Sequence, residues 1–178
     1  MPRKLPKVIN QEEFEQLFEA AGKCKGKYRK EKMIAMLLGF EAGMRISEII
    51  GFEKKGIIII PRLTKDLIGD ASIKILGKGK KERIVPRPKR FNETAKNLLP
   101  LTIKRRSLQN FITNLGREVL SKEISFHTLR HGFCSHLANA GRPLHEIQML
   151  AGHSRLDTTG IYLHANPEEA IRKASEVF

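Results

Sequence analysis

Two short runs of alternating polar and apolar residues, on either side of a glycine-rich turn, restrict the fold more than any other feature of this sequence. The runs are Ser72–Leu76 (SIKIL) and Glu82–Pro86 (ERIVP), and the residues between them read GKGKK. Alternation with a period of two indicates strands that bury one face, and the glycine-rich connection indicates a β-hairpin. With the β-branched segment Gly56–Pro61 as a further strand, the sequence predicts a small, three-stranded antiparallel sheet.

Most of the remaining sequence has the period of amphipathic helices. Asn10 and Glu13 predict a capping box for a helix over Gln11–Ala21. Other predicted helices are Lys30–Glu41, Met44–Ile50, Asn92–Leu98, a helix capped by Ser107, a helix from Ser125 or His127 to Ala140, Pro143–Leu150, a helix starting at Asp157 or Thr158, and Pro167–Val177. The predicted fold class is α+β and mostly α, a helical bundle with a small sheet. Residues 1–10 are predicted to be a basic arm or linker remnant, and 11–178 one domain.

The charge of the chain predicts a polyanionic partner. Its 178 residues carry a formal net charge of +14, and a field of that sign attracts nucleic acid first and anionic membrane surfaces second. A basic but unspecialised protein is the alternative. No apolar run approaches the roughly 20 residues of a membrane span, and the N-terminus lacks the apolar segment of a signal peptide. Cys24 and Cys134 lie far apart, which is typical of a reducing cytosol.

The histidines raise the question of a metal site. All six lie in the last third of the chain: His127, His131, His136, His145, His153 and His164. His127 and His131 have the i, i+4 spacing of a zinc-protease helix, but Thr128 stands where such a motif needs glutamate. The sequence therefore does not favour a metal site.

Arg45 and Glu48 interrupt an apolar segment, where a charge is costly unless it is compensated. One interpretation is an exposed ion pair at i, i+3. The other is an arginine directed at an anion, with Glu48 supporting it from behind. The sequence leaves both open.

Six residues of particular types follow one another in the order Arg45, Lys78, His127, Arg130, His153 and Tyr162, each inside a recognisable local motif. With these motifs the chain resembles the catalytic domain of the tyrosine recombinases (site-specific integrases), and it is most similar to Xer-type and archaeal members. The resemblance extends over essentially the whole chain from about Leu5. The matching segments are LPKVIN, AGMRISEI, GKGKKERIVP, HTLRHGFCSHLANAG and LAGHSRLDTTGIYLHA.

The resemblance implies the reaction and the role of each group. Tyr162 would attack a DNA phosphodiester to give a 3′-phosphotyrosyl link and a free 5′-hydroxyl, without ATP, metal or other cofactor. Lys78 would protonate the leaving 5′-oxygen, and His127 would serve in general acid–base transfer.

The remaining groups of the resemblance would hold the phosphate. Arg45 and Arg130 would bind the non-bridging oxygens, because planar bidentate donors fit a phosphorane better than point charges do. His153 would also donate to the phosphoryl group, and Glu48 would buttress Arg45. The predicted DNA-binding residues are Lys80, Lys81, Arg83, Arg105 and Arg106.

Two assignments have competitors within the sequence. Lys65, Lys80 and Lys81 are alternatives to Lys78, which matches the GKG pattern. Tyr28 is the other tyrosine in the chain, but it lies in a basic loop without a partner motif, so Tyr162 is preferred as the nucleophile.

The resemblance further implies double-stranded DNA as a partner, a tetramer on DNA in which the final helix 167–178 packs in cis or passes to a neighbour, and a cytoplasmic, DNA-associated location. Activity is expected to depend on the hairpin closing over DNA. The alternatives are a type IB topoisomerase and a basic DNA-binding module whose site is unused. Family members usually carry an N-terminal domain that clamps the opposite face of DNA, and the sequence does not decide between a fragment and a minimal enzyme.

Overall fold

The computed structural model describes residues 7–77 and 82–152. These ranges contain seven α-helices, four strands and a 3-10 turn at Lys65–Leu67. The elements in chain order are α1 (Gln11–Lys23), α2 (Arg29–Glu41), α3 (Ile46–Ile50), β1 (Phe52–Lys54), β2 (Ile57–Ile60), β3 (Ser72–Leu76), β4 (Glu82–Pro86), α4 (Glu93–Asn97), α5 (Arg105–Leu120), α6 (Phe126–Asn139) and α7 (Leu144–Ala151). The mostly helical class with small antiparallel sheets is confirmed. The predicted helices after residue 152 and the tip of the second hairpin lie outside the described residues.

The strands form two separate hairpins. β3 pairs antiparallel with β4, as predicted, and Ile73 lies opposite Val85. β2 pairs instead with β1, which the sequence did not reveal. Among the described strands the two pairs do not join, so the prediction of one three-stranded sheet is wrong. The reason is local: Lys55 and Gly56 both have positive φ, the backbone of a tight hairpin turn that folds β2 directly onto β1.

The helix boundaries follow the predictions except at α5. The capping box at α1 is confirmed, since Asn10 Oδ1 accepts from the Glu13 amide at 2.8 Å and Glu13 Oε2 from the Asn10 amide at 3.1 Å. α5 begins at Arg105, so the predicted cap at Ser107 is wrong. The carboxylate of Glu31 on α2 accepts from the amides of residues 102 and 103. This tertiary contact sets the turn into α5.

α2 forms the centre of the main core, as its nearly continuous apolar surface predicted. Its residues 34–40 are all buried. α6 approaches α2 closely, because a Cβ atom at Gly132 would lie 2.6 Å from the Phe40 ring and 2.8 Å from the carbonyl oxygen of Ile9. Ile9 is itself buried. The end of the predicted arm therefore packs on the body beside α6.

A second, smaller cluster attaches α7 to α6. Its buried members are Phe133, Cys134, Ile147 and Ala151. The short connection 140–143 and this cluster direct the C-terminus of α7 toward the turn between α2 and α3. None of the described helices combines the length and apolarity needed to cross a membrane.

Candidate active site

Arg45 and Glu48 are fixed to each other at the start of α3. Gly43 has φ +61, which turns the chain after α2, and Arg45 occupies the N-cap position of α3. Glu48 Oε2 accepts from the Arg45 amide at 2.7 Å, and Oε1 accepts from Arg45 Nη1 at 2.9 Å. Glu48 is only 4% exposed. An exposed ion pair is therefore excluded, and Glu48 holds Arg45 from the core side.

Arg130 lies on α6 and reaches the same place from the other side. It is 2% exposed, and its guanidinium is held by two backbone carbonyls. Nη1 donates to the Gly43 oxygen at 2.5 Å, and Nη2 donates to the Ala151 oxygen. Arg130 thus ties the α2–α3 turn to the C-terminus of α7.

The C-terminus of α7 gathers three arginines. The carbonyl oxygens of the consecutive residues 150, 151 and 152 each accept from a different guanidinium: Arg83 Nε at 2.9 Å, Arg130 Nη2, and Arg45 Nη2 at 3.1 Å. Carbonyls at the end of a helix lack intrahelical partners and form the negative end of its dipole. This helix end and the Glu48 carboxylate together offset the repulsion among three clustered positive charges.

Glu48 is ionised in this environment. Burial alone would raise the pKa of its carboxyl group, but the hydrogen bonds and charges of Arg83 and Arg45 lower the pKa to about 2. Burial, reinforced by the charges of Arg45 and Arg83, lowers the pKa of Arg130 to about 10. Arg130 therefore remains a cation at neutral pH, and the cluster keeps a net positive charge suited to a phosphodiester.

His127 lies in the first turn of α6 beside the arginines. Burial and the charges of Arg130 and Arg45 lower its pKa. The imidazole is therefore mostly neutral at pH 7 and able to accept a proton. His131 follows one turn later with its ring centroid 5.3 Å from that of His127. Burial, followed by His127 and Arg130, lowers the pKa of His131 to about 4.

Both histidines line a surface cavity of about 380 Å³, which Lys7 and Ser125 also border. The i, i+4 spacing placed His131 beside His127 but suggested only a metal-ligand role, so its place at this cavity was not predicted. Within residues 7–77 and 82–152, no three side chains of the metal-ligating types come together.

The structure brings together Arg45 and Glu48 from the start of α3 and His127 and Arg130 from α6, two segments far apart in the chain. The other predicted catalytic residues, Lys78, His153 and Tyr162, lie outside the described residues, as do Lys80 and Lys81. His153 directly follows Gly152 in sequence, and the Gly152 oxygen contacts Arg45.

Arg83, predicted to bind DNA, points into the protein. Its Nη1 and Nη2 donate to the two oxygens of Glu48 at 2.7 and 2.8 Å, and Nε donates to Leu150. The side chain is 12% exposed. This arrangement gives Arg83 a structural role that was not predicted from the sequence. The alternation along β4 indicates the inward direction of its side chain, because Arg83 and the buried Val85 are two residues apart and share one face of the strand.

Arg105 and Arg106, the other predicted DNA-binding residues that are described, are exposed at the start of α5. The Arg105 guanidinium lies 5.8 Å from the centre of the Phe52 ring. Both side chains are exposed to solvent, unlike the largely buried Arg83 and Arg130.

The structure also bears on the competing residues. Tyr28 immediately precedes α2 and packs against the core, whereas Arg45 follows the end of α2. A helix of 13 residues is about 20 Å long, so Tyr28 is far from Arg45. Lys65 donates to Asn97 Oδ1 at 3.2 Å, next to α4.

Comparison with known proteins gives the family. Residues 7–169 match the phage integrase family. The chain is 32% identical over 199 residues to tyrosine recombinase XerD of Staphylococcus saprophyticus, covering 99% of this chain and 63% of that protein. It is 35% identical over 195 residues to tyrosine recombinase XerC of Thermodesulfovibrio yellowstonii, covering 95% and 61%. The chain thus spans about three fifths of the length of these curated relatives.

Solved structures share the fold. The XerH recombinase bound to difH substrate in a pre-cleavage complex superposes with a TM-score of 0.71 at 23% identity, covering 97% of this chain and 55% of that one. The catalytic domain of bacteriophage HP1 integrase gives 0.63 at 19% identity, covering 94% and 93%. The family match extends over most of the chain, and the fold agrees with it. The chain belongs to the phage integrase family.

Proposed function

We propose that this chain is a site-specific DNA recombinase that cleaves and rejoins double-stranded DNA through a 3′-phosphotyrosyl intermediate at Tyr162. The observation that carries the proposal is the convergence of Arg45 and Arg130 on the adjacent carbonyls of residues 152 and 151. The neutral imidazole of His127 lies beside them. Two arginines and a neutral base at one place are the groups that a metal-free phosphoryl transfer needs.

Each group has a step in the proposed reaction. The Tyr162 hydroxyl oxygen attacks phosphorus while the bond from phosphorus to the 5′-oxygen breaks. His127 accepts the phenol proton, and Lys78 gives a proton to the leaving 5′-oxygen. Arg45 and Arg130 neutralise charge on the non-bridging oxygens, and each has five N–H donors to share between protein and phosphate. Reversal with a different 5′-hydroxyl rejoins the DNA, so no ATP is consumed.

The relatives support the substrate and the assembly that we propose. XerD and XerC are named tyrosine recombinases, and XerH was solved on its difH substrate. By likeness we propose double-stranded DNA as substrate, residues 11–178 as the catalytic domain, and a tetramer on DNA in which helix 167–178 contributes to subunit contacts. The proposed location is the cytoplasm, where DNA is accessible.

Trapping of the covalent intermediate tests the proposal. In nicked duplexes of randomised sequence, the short fragment that carries the new 5′-hydroxyl diffuses away after cleavage near the nick, so a covalent adduct accumulates. Protein-linked DNA is recovered after denaturation and sequenced, which also defines the preferred site. We expect wild type to give an adduct with a free 5′-hydroxyl on the released strand, and Tyr162→Phe to give none.

Tyr28→Phe is the matched control and should retain the adduct, because Tyr28 lies at the other end of α2. Absence of an adduct from wild-type protein that binds the duplexes would overturn the proposal. Dependence of the adduct on Tyr28 instead of Tyr162 would overturn the nucleophile assignment. Relaxation of supercoiled plasmid without any strand exchange would show a topoisomerase instead.

A further inference from the structure

We propose that Arg83 is a positioning residue for this reaction, which links the β3–β4 hairpin to Arg45 through Glu48 and to the C-terminus of α7. The inference rests on the proposed function. It assigns to Arg83 a role distinct from the DNA contact expected from the sequence.

The Glu48 carboxylate is shared between two arginines. Arg83 holds both oxygens with its planar fork, while Arg45 reaches Oε1 with Nη1 and Oε2 with its amide. A buried carboxylate with four donors is fully compensated, and loss of one partner leaves charge inadequately paired. Arg83 thereby limits where Glu48, and hence Arg45, can lie.

Arg83 also reaches the segment that leads to His153. Its Nε donates to Leu150, two residues before Gly152, whose oxygen accepts from Arg45. The side chain lies against Gly152 itself, where an added Cβ would be 2.9 Å from Arg83 Cδ. One side chain of β4 therefore contacts both partners of Arg45, the Glu48 carboxylate and the end of α7.

The contacts of Arg83 tie the β3–β4 hairpin to the residues around Arg45. Arg83 is the second residue of β4, close in sequence to the turn that carries Lys78. A displacement of β4 would break the paired bonds to Glu48 and the bond to Leu150. The position of β4 therefore contributes to holding Arg45, beside the bond that Arg45 itself donates to Gly152.

The test separates positioning from DNA binding. We compare Arg83→Met and Arg83→Lys with wild type on a nicked duplex that wild type cleaves, measuring the Kd for DNA and the single-turnover rate of adduct formation at saturating DNA. Arg83→Met should lower the rate about 100-fold, the effect of a misplacement of about 1 Å. Its Kd should remain within about 3-fold of wild type, because a buried guanidinium contributes little to phosphate contacts. Arg83→Lys should fall in between, since lysine cannot supply the fork.

Arg87→Met is the matched control. Arg87 follows the same strand, its side chain is also 12% exposed, and it bonds Phe91, Gly69 and Glu93. It contacts neither Glu48 nor α7 in these bonds. The variant should lower thermal stability but keep the cleavage rate within about 3-fold of wild type, as expected for a change that leaves the active-site geometry intact.

The pH dependence of the cleavage rate distinguishes a positioning role of Arg83 from a purely structural one, because only a positioning role should change it. The charged or titratable groups around Glu48 are Arg45, Arg83, Arg130 and His127. Removal of Arg83 takes away the largest stabilisation of the carboxylate, so the pKa of Glu48 rises. The cleavage rate of Arg83→Met should then fall at a higher pH than that of wild type, on the acid side of the profile.

Two outcomes overturn the inference. An unchanged cleavage rate in both Arg83 variants overturns the inference. A weaker Kd with an unchanged rate at saturation identifies Arg83 as a DNA contact and also overturns it. If Arg83→Met fails to fold, Arg83→Lys carries the test alone. Failure of wild type to form any adduct would instead refute the proposed function, so the two failures are distinguishable.

Discussion

At the scale of single residues, Glu48 determines the electrostatics of the candidate active site. It is the one carboxylate among the described groups that bonds Arg45 and Arg83, and it is nearly inaccessible to solvent. Its pKa is lowered to about 2, against an ordinary value of 4.5. The folded state therefore favours the ionised form of Glu48 far more than the unfolded chain does.

Replacement of Glu48 by glutamine should cost stability in a pH-dependent way. A depressed pKa contributes stability that is complete above about pH 4.5 and is lost as the pH falls toward about 2. The difference corresponds to about 3 kcal/mol at neutral pH. We expect the unfolding free energies of wild type and Glu48→Gln, measured in urea, to differ by about this amount at pH 7 and to converge below pH 4.5.

Glu19→Gln is the control for that titration. Glu19 pairs with Lys23 on the exposed face of α1, where solvent screens the interaction. The unfolding free energy of Glu19→Gln should therefore follow that of wild type at every pH in the titration. A constant difference between wild type and Glu48→Gln from pH 7 to pH 2 would show that the charge of Glu48 is not what stabilises the site.

At the scale of elements, α7 is the structural centre of the site. It is only eight residues long, and a small cluster of buried side chains joins it to α6. Its C-terminal carbonyls nevertheless contact arginines from α6, β4 and the start of α3. A short helix can do this because its last carbonyls have no partners of their own and bond well with cations.

Gly152→Ala tests the fit of this helix end. Gly152 has φ +63, where a Cβ costs about 1–2 kcal/mol, and the Cβ would also collide with Arg83. We expect a loss of unfolding free energy of at least that size, together with a lower rate of adduct formation on a nicked duplex.

Gly56→Ala provides the comparison for Gly152→Ala. Gly56 has φ +76, and no atom lies within 4 Å of the position that a Cβ would take. It should lose a similar amount of stability from the backbone alone and keep its cleavage rate. Equal rates in the two variants would contradict the idea that the α7 terminus positions the arginines.

At the scale of the whole molecule, the net charge of +14 is the dominant feature. Part of it lies on exposed residues such as Arg105 and Arg106 at the start of α5. Positive charges that neutralise phosphates release counterions, so the logarithm of the DNA-binding constant falls linearly with the logarithm of salt concentration, with a slope of about −0.9 per contact.

The double variant Arg105→Gln/Arg106→Gln should reduce the steepness of that salt dependence by about 2, if both side chains contact phosphates as predicted. The measurement is the Kd for duplex DNA by fluorescence anisotropy between low and moderate salt. Lys25→Gln/Lys27→Gln removes the same charge from the exposed loop between α1 and α2 and should leave the slope unchanged. Equal reductions in both variants would mean that only net charge matters.

Local structure and the types of residue at the site can be read from the amino-acid sequence. Asn10 and Glu13 gave the start of α1, the alternation in residues 72–86 gave the β3–β4 hairpin, and the apolar surface of α2 gave its burial. These predictions succeed because hydrogen bonding at a helix end and the period of a strand depend on neighbours in the chain. The family motifs likewise identify Arg45, His127 and Arg130 as candidate site residues without any knowledge of the contacts among them.

How these residues meet depends on the packing of the folded chain. β1 has only three residues, too few to show a strand pattern in the sequence. Its pairing with β2 across the turn at residues 55 and 56 could therefore not be predicted. The burial of Glu48, the inward direction of Arg83 and the collection of three guanidiniums at the end of α7 involve segments far apart in the chain. Such contacts depend on how α6, α7 and β4 pack. The spacing of residues in the sequence does not indicate which carbonyl or carboxylate oxygen accepts a hydrogen bond from each arginine.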